Sequence, residues 1–125
     1  MLTSLFHYTG SEWKKHTVSQ LAENENAQLV LCFGGKGVLQ QPGIYKVVKE
    51  QFPAAAITMC STAGEIYQDA VQENSLVAVA LQFKKTTIET ASVNIADYKN
   101  SYDAAVALAG KLPHEDLKYV MVFSD

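Results

Sequence analysis

Apolar residues fall into short runs separated by glycine, proline and charged turns, and the period of the runs changes between strand-like and helix-like along the chain. Leu29, Val30, Leu31, Cys32 and Phe33 form a continuous run closed by Gly34 and Gly35, as in a strand buried on both faces. Pro42 suits the first turn of a helix, where its missing N–H costs nothing. Ile44, Val47, Val48 and Phe52 then recur at helical spacing until Pro53 ends the pattern. Ala54–Cys60 is the next apolar run and completes a βαβ unit with parallel strands and a right-handed crossover. Leu76–Phe83 and Thr87–Ile95 are strand-like and flank a short lysine-bearing turn, which predicts an antiparallel hairpin added to that sheet.

The ends are patterned more weakly. Thr3–Thr9 reads as a strand, and Ser11 reads as the cap of a helix carrying Trp13, Val18 and Leu21 before Asn24–Asn26 breaks it. Asn100 or Ser101 caps a second predicted helix, with Tyr102, Ala105, Val106, Ala109 and Leu112 on the face expected to cover the sheet and Pro113 just beyond. Tyr119–Phe123 is a last apolar strand, after which the sequence stops at Ser124 and Asp125. A strand that ends without a covering helix leaves apolar surface open, so the chain reads as part of a longer protein. The predicted class is α/β: a mixed, mostly parallel β-sheet with a βαβ unit, an added antiparallel hairpin and flanking helices. Residues 1–28 are expected to belong to the same domain as residues 29–125.

Composition narrows the function classes. With 125 residues the chain is long enough for one core and short for two, and 48% hydrophobic with 18% charged residues describes a folded chain. A formal charge of −3 with dispersed lysines argues against nucleic acid as a partner. The longest apolar stretch, Leu76–Leu81, is far below the roughly 20 residues needed to cross a bilayer, and Met1–Gly10 lacks the pattern of a signal peptide. No membrane partner and a cytoplasmic location are expected. Cys32 and Cys60 have neither the number nor the spacing of a disulfide framework or zinc site, which predicts reduced, buried thiols.

In such sheets ligands bind outside the carboxyl ends of parallel strands. Gly34-Gly35-Lys36-Gly37, Ser61-Thr62-Ala63-Gly64-Glu65 and Ser124-Asp125 are the segments expected to share that edge. The second is the most informative: Ser61 and Thr62 supply hydroxyls, while Ala63 and Gly64 let a ligand approach the backbone and Glu65 adds charge. The competing reading is a tight turn satisfied by Ser61 and Thr62, with Glu65 solvated. Gly34 and Gly35 join the candidate ligand-binding set as glycines beside a helix start, although the G-x-x-x-x-G-K-[ST] phosphate loop is absent. No G-x-S-x-G elbow is present, and no histidine neighbours Cys60 or Ser61, so a Cys or Ser hydrolase lacks its base. The acidic residues show no metal-ligand spacing.

A strand ending in Phe33-Gly34, a helix ending in Phe52-Pro53, the Cys60-Ser61-Thr62-Ala63-Gly64-Glu65-Ile66 stretch and the Leu76–Leu81 strand resemble, in order and spacing, the amino-terminal half of FIST proteins. The resemblance runs from about Leu29 to the end. It implies a bacterial, intracellular signal-transduction module that senses a small molecule such as an amino acid and does not catalyse. It also implies signalling partners such as chemoreceptors, histidine kinases or cyclic-dinucleotide enzymes. A haem-based nitric oxide sensor is the alternative, with His7, His16 and His114 as the available axial ligands. FIST proteins continue well past a chain of this length. An exposed sheet edge in such a chain offers a route to a homo-oligomer.

Overall fold

The computed structural model describes residues 1–16 and 20–124. Two compact units are present: Met1–Thr86 together with the last residues from Phe123, and Thr87–Val122. The first unit holds a five-stranded sheet built from β1 (Leu2–Tyr8), β2 (Trp13–Lys15), β3 (Leu29–Gly35), β4 (Ala56–Thr62) and β7 (Leu76–Gln82), in the order β2-β1-β7-β3-β4. Helices α1 (Lys36–Leu39) and α2 (Ile44–Gln51) lie between β3 and β4, and a separate hairpin of β5 (Glu65–Tyr67) and β6 (Ala70–Gln72) precedes β7. The second unit holds α3 (Ser101–Ala109).

The βαβ unit forms as expected, with β3 and β4 parallel and Gly35 opposite Thr62 at their carboxyl ends. The rest of the sheet is antiparallel, so the mostly parallel reading is corrected: β7 runs antiparallel to both β1 and β3. The cause is the connection. A parallel neighbour needs a long crossover, whereas residues 63–75 contain only a small hairpin, so the chain returns in the opposite sense. With β1 and β3 on its two sides, β7 has no edge left, and the predicted hairpin partner Thr87–Ile95 forms no strand.

Period-2 alternation gives the sheet two distinct faces. One carries Phe6, Tyr8, Leu76, Ala78, Ala80, Val30 and Cys32 and packs against Val38, Ile44, Val48 and Phe52. Gly43, at φ 87°, starts α2, and Pro42 sits in the turn before it instead of in its first turn. Phe52 is fully buried, with its ring edge-on to Phe6 at 5.0 Å and to Trp13 at 6.0 Å. Burial of such a ring contributes about 1.5–3 kcal/mol. This aromatic cluster also explains a correction near the amino terminus: Trp13 belongs to β2, paired with Tyr8, and not to a helix capped by Ser11. Val18, assigned to that helix, lies outside the described residues. Leu21 is nonetheless buried, and its N–H donates to the Ser4 hydroxyl at 3.0 Å.

In the second unit the Asn100 side chain caps α3, accepting from the Asp103 N–H at 2.9 Å. The predicted buried face is corrected, because Ala104 is buried while Tyr102 and Val106 are exposed. Tyr119–Phe123 forms no strand, and Tyr119 is 94% exposed. Apolar alternation makes a strand only where an edge receives it, and no described strand pairs with this segment.

Candidate functional site

The second face of the sheet carries paired rows, Leu5–Val79–Leu31 and His7–Val77–Phe33, across β1, β7 and β3. At its β3/β4 end the chain leaves β4 at Thr62, turns through Ala63 and Gly64, and enters the β5–β6 hairpin at Glu65. A recess of about 320 Å³ opens there, lined by Leu5, Phe33, Val77 and Val79 of the sheet and by Thr62, Gly64, Glu65 and Ile66. Its floor is hydrocarbon, and Glu65 is the charged residue of its wall. The Phe123 ring meets Phe33 at 6.4 Å.

Glu65 is not solvated; it is 2% exposed. Thr62 Oγ1 donates to its Oε1 at 2.7 Å, and Ser75 Oγ donates to its Oε2 at 3.1 Å. Each carboxylate oxygen is thus held by a hydroxyl, which offsets part of the cost of removing the charge from water. Ser75 is itself fixed, since its carbonyl accepts from the Gly35 N–H at 3.2 Å. Glycine at position 34 makes this approach feasible: a Cβ there would stand 3.0 Å from the Ser75 carbonyl oxygen and 3.3 Å from Leu39 Cδ2. Gly34 and Gly35 therefore lie within β3 beside the support of Glu65, and neither is among the residues lining this recess.

Strand alternation separates the remaining candidates. Because β4 extends through Thr62, Ser61 and Thr62 point to opposite faces. Ser61 lines a different recess of about 660 Å³ with Lys36, Leu39, Gln40 and Met59. Ala63 is exposed and lines neither recess, and Asp125 lies outside the described residues. The glycine segment after the first βαβ strand is not an open loop, since Lys36 and Gly37 start the short α1.

His7, which the sequence offers only as an available haem ligand, and Ser75, which its pattern does not mark, both stand near Glu65. His7 is buried on the recess face, between Lys14 and Val77 in the strand register, and its ring stacks on Tyr67 at 4.7 Å. Burial holds its imidazole below the ordinary value of 6.5; the nearby Lys14 charge acts in the same direction and Glu65 opposes it. Its Nε2 is buried without a hydrogen-bond partner. The strand alternation that places Leu5 and His7 on one face was legible in Thr3–Thr9, but which face would meet Glu65 depends on the hairpin.

The thiols differ. Cys32 is buried, which pushes it up to about 12, whereas Cys60 is half-buried and its Sγ contacts the Ser61 carbonyl oxygen at 3.6 Å, with no histidine base paired to it. The haem alternative finds no histidine lining either recess: His7 is covered by Tyr67, His16 meets the same ring edge-on at 6.1 Å, and His114 is exposed. Among the described residues no cluster of His, Cys, Asp and Glu could hold a metal ion, and no helix is long and apolar enough to cross a membrane.

Comparison with curated proteins and with solved structures finds no match. A family model described as FIST N domain matches residues 28–125, which take in β3 through α3 and every residue of the Glu65 recess except Leu5. The chain therefore belongs to the FIST N domain family, a family linked to sensing in signal transduction.

Proposed function

We infer that this chain is the ligand-binding part of an intracellular sensor, and that a small molecule such as an amino acid occupies the recess beside Glu65. The observation that carries this reading is a buried carboxylate, held by two hydroxyls, in the wall of an otherwise apolar hollow. Ligand sites combine these features, with apolar walls supplying affinity and a few placed polar groups supplying orientation; a volume of about 320 Å³ suits a small metabolite. Binding shifts the state of a signalling partner, such as a chemoreceptor, histidine kinase or cyclic-dinucleotide enzyme, and chemistry on the ligand is not required.

Thermal-shift screening of the chain against amino acids and related metabolites tests the site. A stabilising compound should lose its effect in Thr62→Ala and Glu65→Ala and keep it in Ser61→Ala, which alters the other recess. A hit abolished only by Ser61→Ala would move the site to the opposite face. One unaffected by all three substitutions would remove it from this end of the sheet.

A further inference from the structure

We propose that the Glu65 recess selects a small primary ammonium carried on a compact apolar body, so that the ligand class is apolar amines and an α-carboxylate is dispensable. The inference rests on the reading of this recess as the ligand site and names what it recognises. Glu65 takes part in none of the ion pairs among the described residues, which are Lys14–Glu12, Lys46–Glu50 and Lys118–Asp116. A buried charge ordinarily has a counter-charge. Thr62 and Ser75 use one acceptor position on each oxygen, and an ionised carboxylate has about four such positions, so further N–H groups can be received. An ammonium supplies three donors and the missing positive charge.

The rest of the wall sets the other end of the ligand. Leu5, Phe33, Val77 and Val79 give it a hydrocarbon bed, and no Lys, Arg or His is among the lining residues. An α-carboxylate placed here would meet no cation among the lining residues and would lie near the like charge of Glu65. Lys36 serves the recess on the opposite face. His7 adds a second polar atom without a partner: its buried Nε2 belongs to the residue paired with Val77 and two positions from Leu5.

Three compounds with the same branched body separate the possibilities: isopentylamine, which has only the ammonium; isocaproate, which has only the carboxylate; and leucine, which has both. With the full chain, isopentylamine should raise Tm by roughly 5 °C or more near saturation. Isocaproate should leave Tm unchanged, and leucine should be no better than the amine. Glu65→Gln should abolish the amine's effect. Val79→Phe, which fills the floor and leaves the carboxylate alone, should do the same, so a folding defect in one variant does not decide the matter. Leucine binding without isopentylamine binding, or equal shifts from isocaproate, would overturn the amine proposal while leaving the recess as the ligand site. An amine effect that survives both Glu65→Gln and Val79→Phe would overturn the site itself.

Discussion

Removing the Ser75 hydroxyl tests whether Glu65 is held as a buried anion. Ser75 and Glu65 are 4% and 2% exposed, and their contact is 3.1 Å. A hydrogen bond to a charged group contributes about 1.5–3 kcal/mol, against about 0.5–1.5 kcal/mol for a neutral pair, and water cannot readily replace a donor at this depth. Ser75→Ala should therefore lower the unfolding free energy by about 2 kcal/mol. In a Glu65→Gln background the same change should cost about 1 kcal/mol, leaving a coupling of about 1 kcal/mol in the double-mutant cycle. Thr62→Val removes the other donor, but Thr62 is only half-buried, so solvent should replace part of the loss. Urea unfolding at neutral pH with matched m-values measures all three effects. A Ser75→Ala cost below about 0.5 kcal/mol, or an equal cost in both backgrounds, would refute the idea that this hydroxyl supports a buried charge.

Three further outcomes follow from the same packing. Because the native His7 value lies below 6.5, the unfolded chain binds more protons between the two values; the His7 contribution is complete above 6.5 and is lost as pH falls through that window. Urea midpoints from about pH 8 to about pH 5 should show this decline, and His7→Gln should flatten it. Cys32, with its thiol pushed up to about 12, should resist a thiol reagent that labels half-buried Cys60, so the native chain should show one fast-reacting thiol and the unfolded chain two. Gly34→Ala, with its Cβ 3.0 Å from the Ser75 carbonyl oxygen, should cost about 1–3 kcal/mol by urea unfolding, whereas Gly37→Ala, which meets nothing within 4 Å, should have little steric effect.

The pattern of apolar positions made much of the first unit legible because those elements satisfy local and global preferences together. Leu29–Phe33, Ala54–Cys60 and Leu76–Phe83 are strands, and Ile44 to Phe52 follow a helical period, within one or two residues of where they form. Sheet order was not legible, because β7 pairs with β1 and β3 and not with β4, the strand before it in the main sheet, and these pairings join segments distant in sequence. Trp13 joined a strand because Tyr8, Phe6 and Phe52 offered it an aromatic pocket, a tertiary reward that no local cap at Ser11 could reveal. The Ser61–Glu65 stretch lies at the carboxyl end of β4, but its pattern reads as one loop, whereas Ser61 and Thr62 are the last residues of the strand. The continuation of β4 through Thr62 divides Ser61 from Thr62, and the three-residue strands Glu65–Tyr67 and Ala70–Gln72 are too short to show a period. His7 was legible as one position of an alternating strand and as an available haem ligand, but not as a neighbour of Glu65, since its unpaired Nε2 and its stacking on Tyr67 arise from contacts distant in sequence.

Mapping isopentylamine onto the chain by backbone amide chemical shifts tests most directly whether the Glu65 hollow is where recognition occurs. The largest changes should cluster at Leu5, Gly64, Glu65, Ile66 and Val77, and should disappear in Glu65→Gln. A cluster at Lys36, Gln40 and Ser61 instead, or changes scattered without focus, would contradict it.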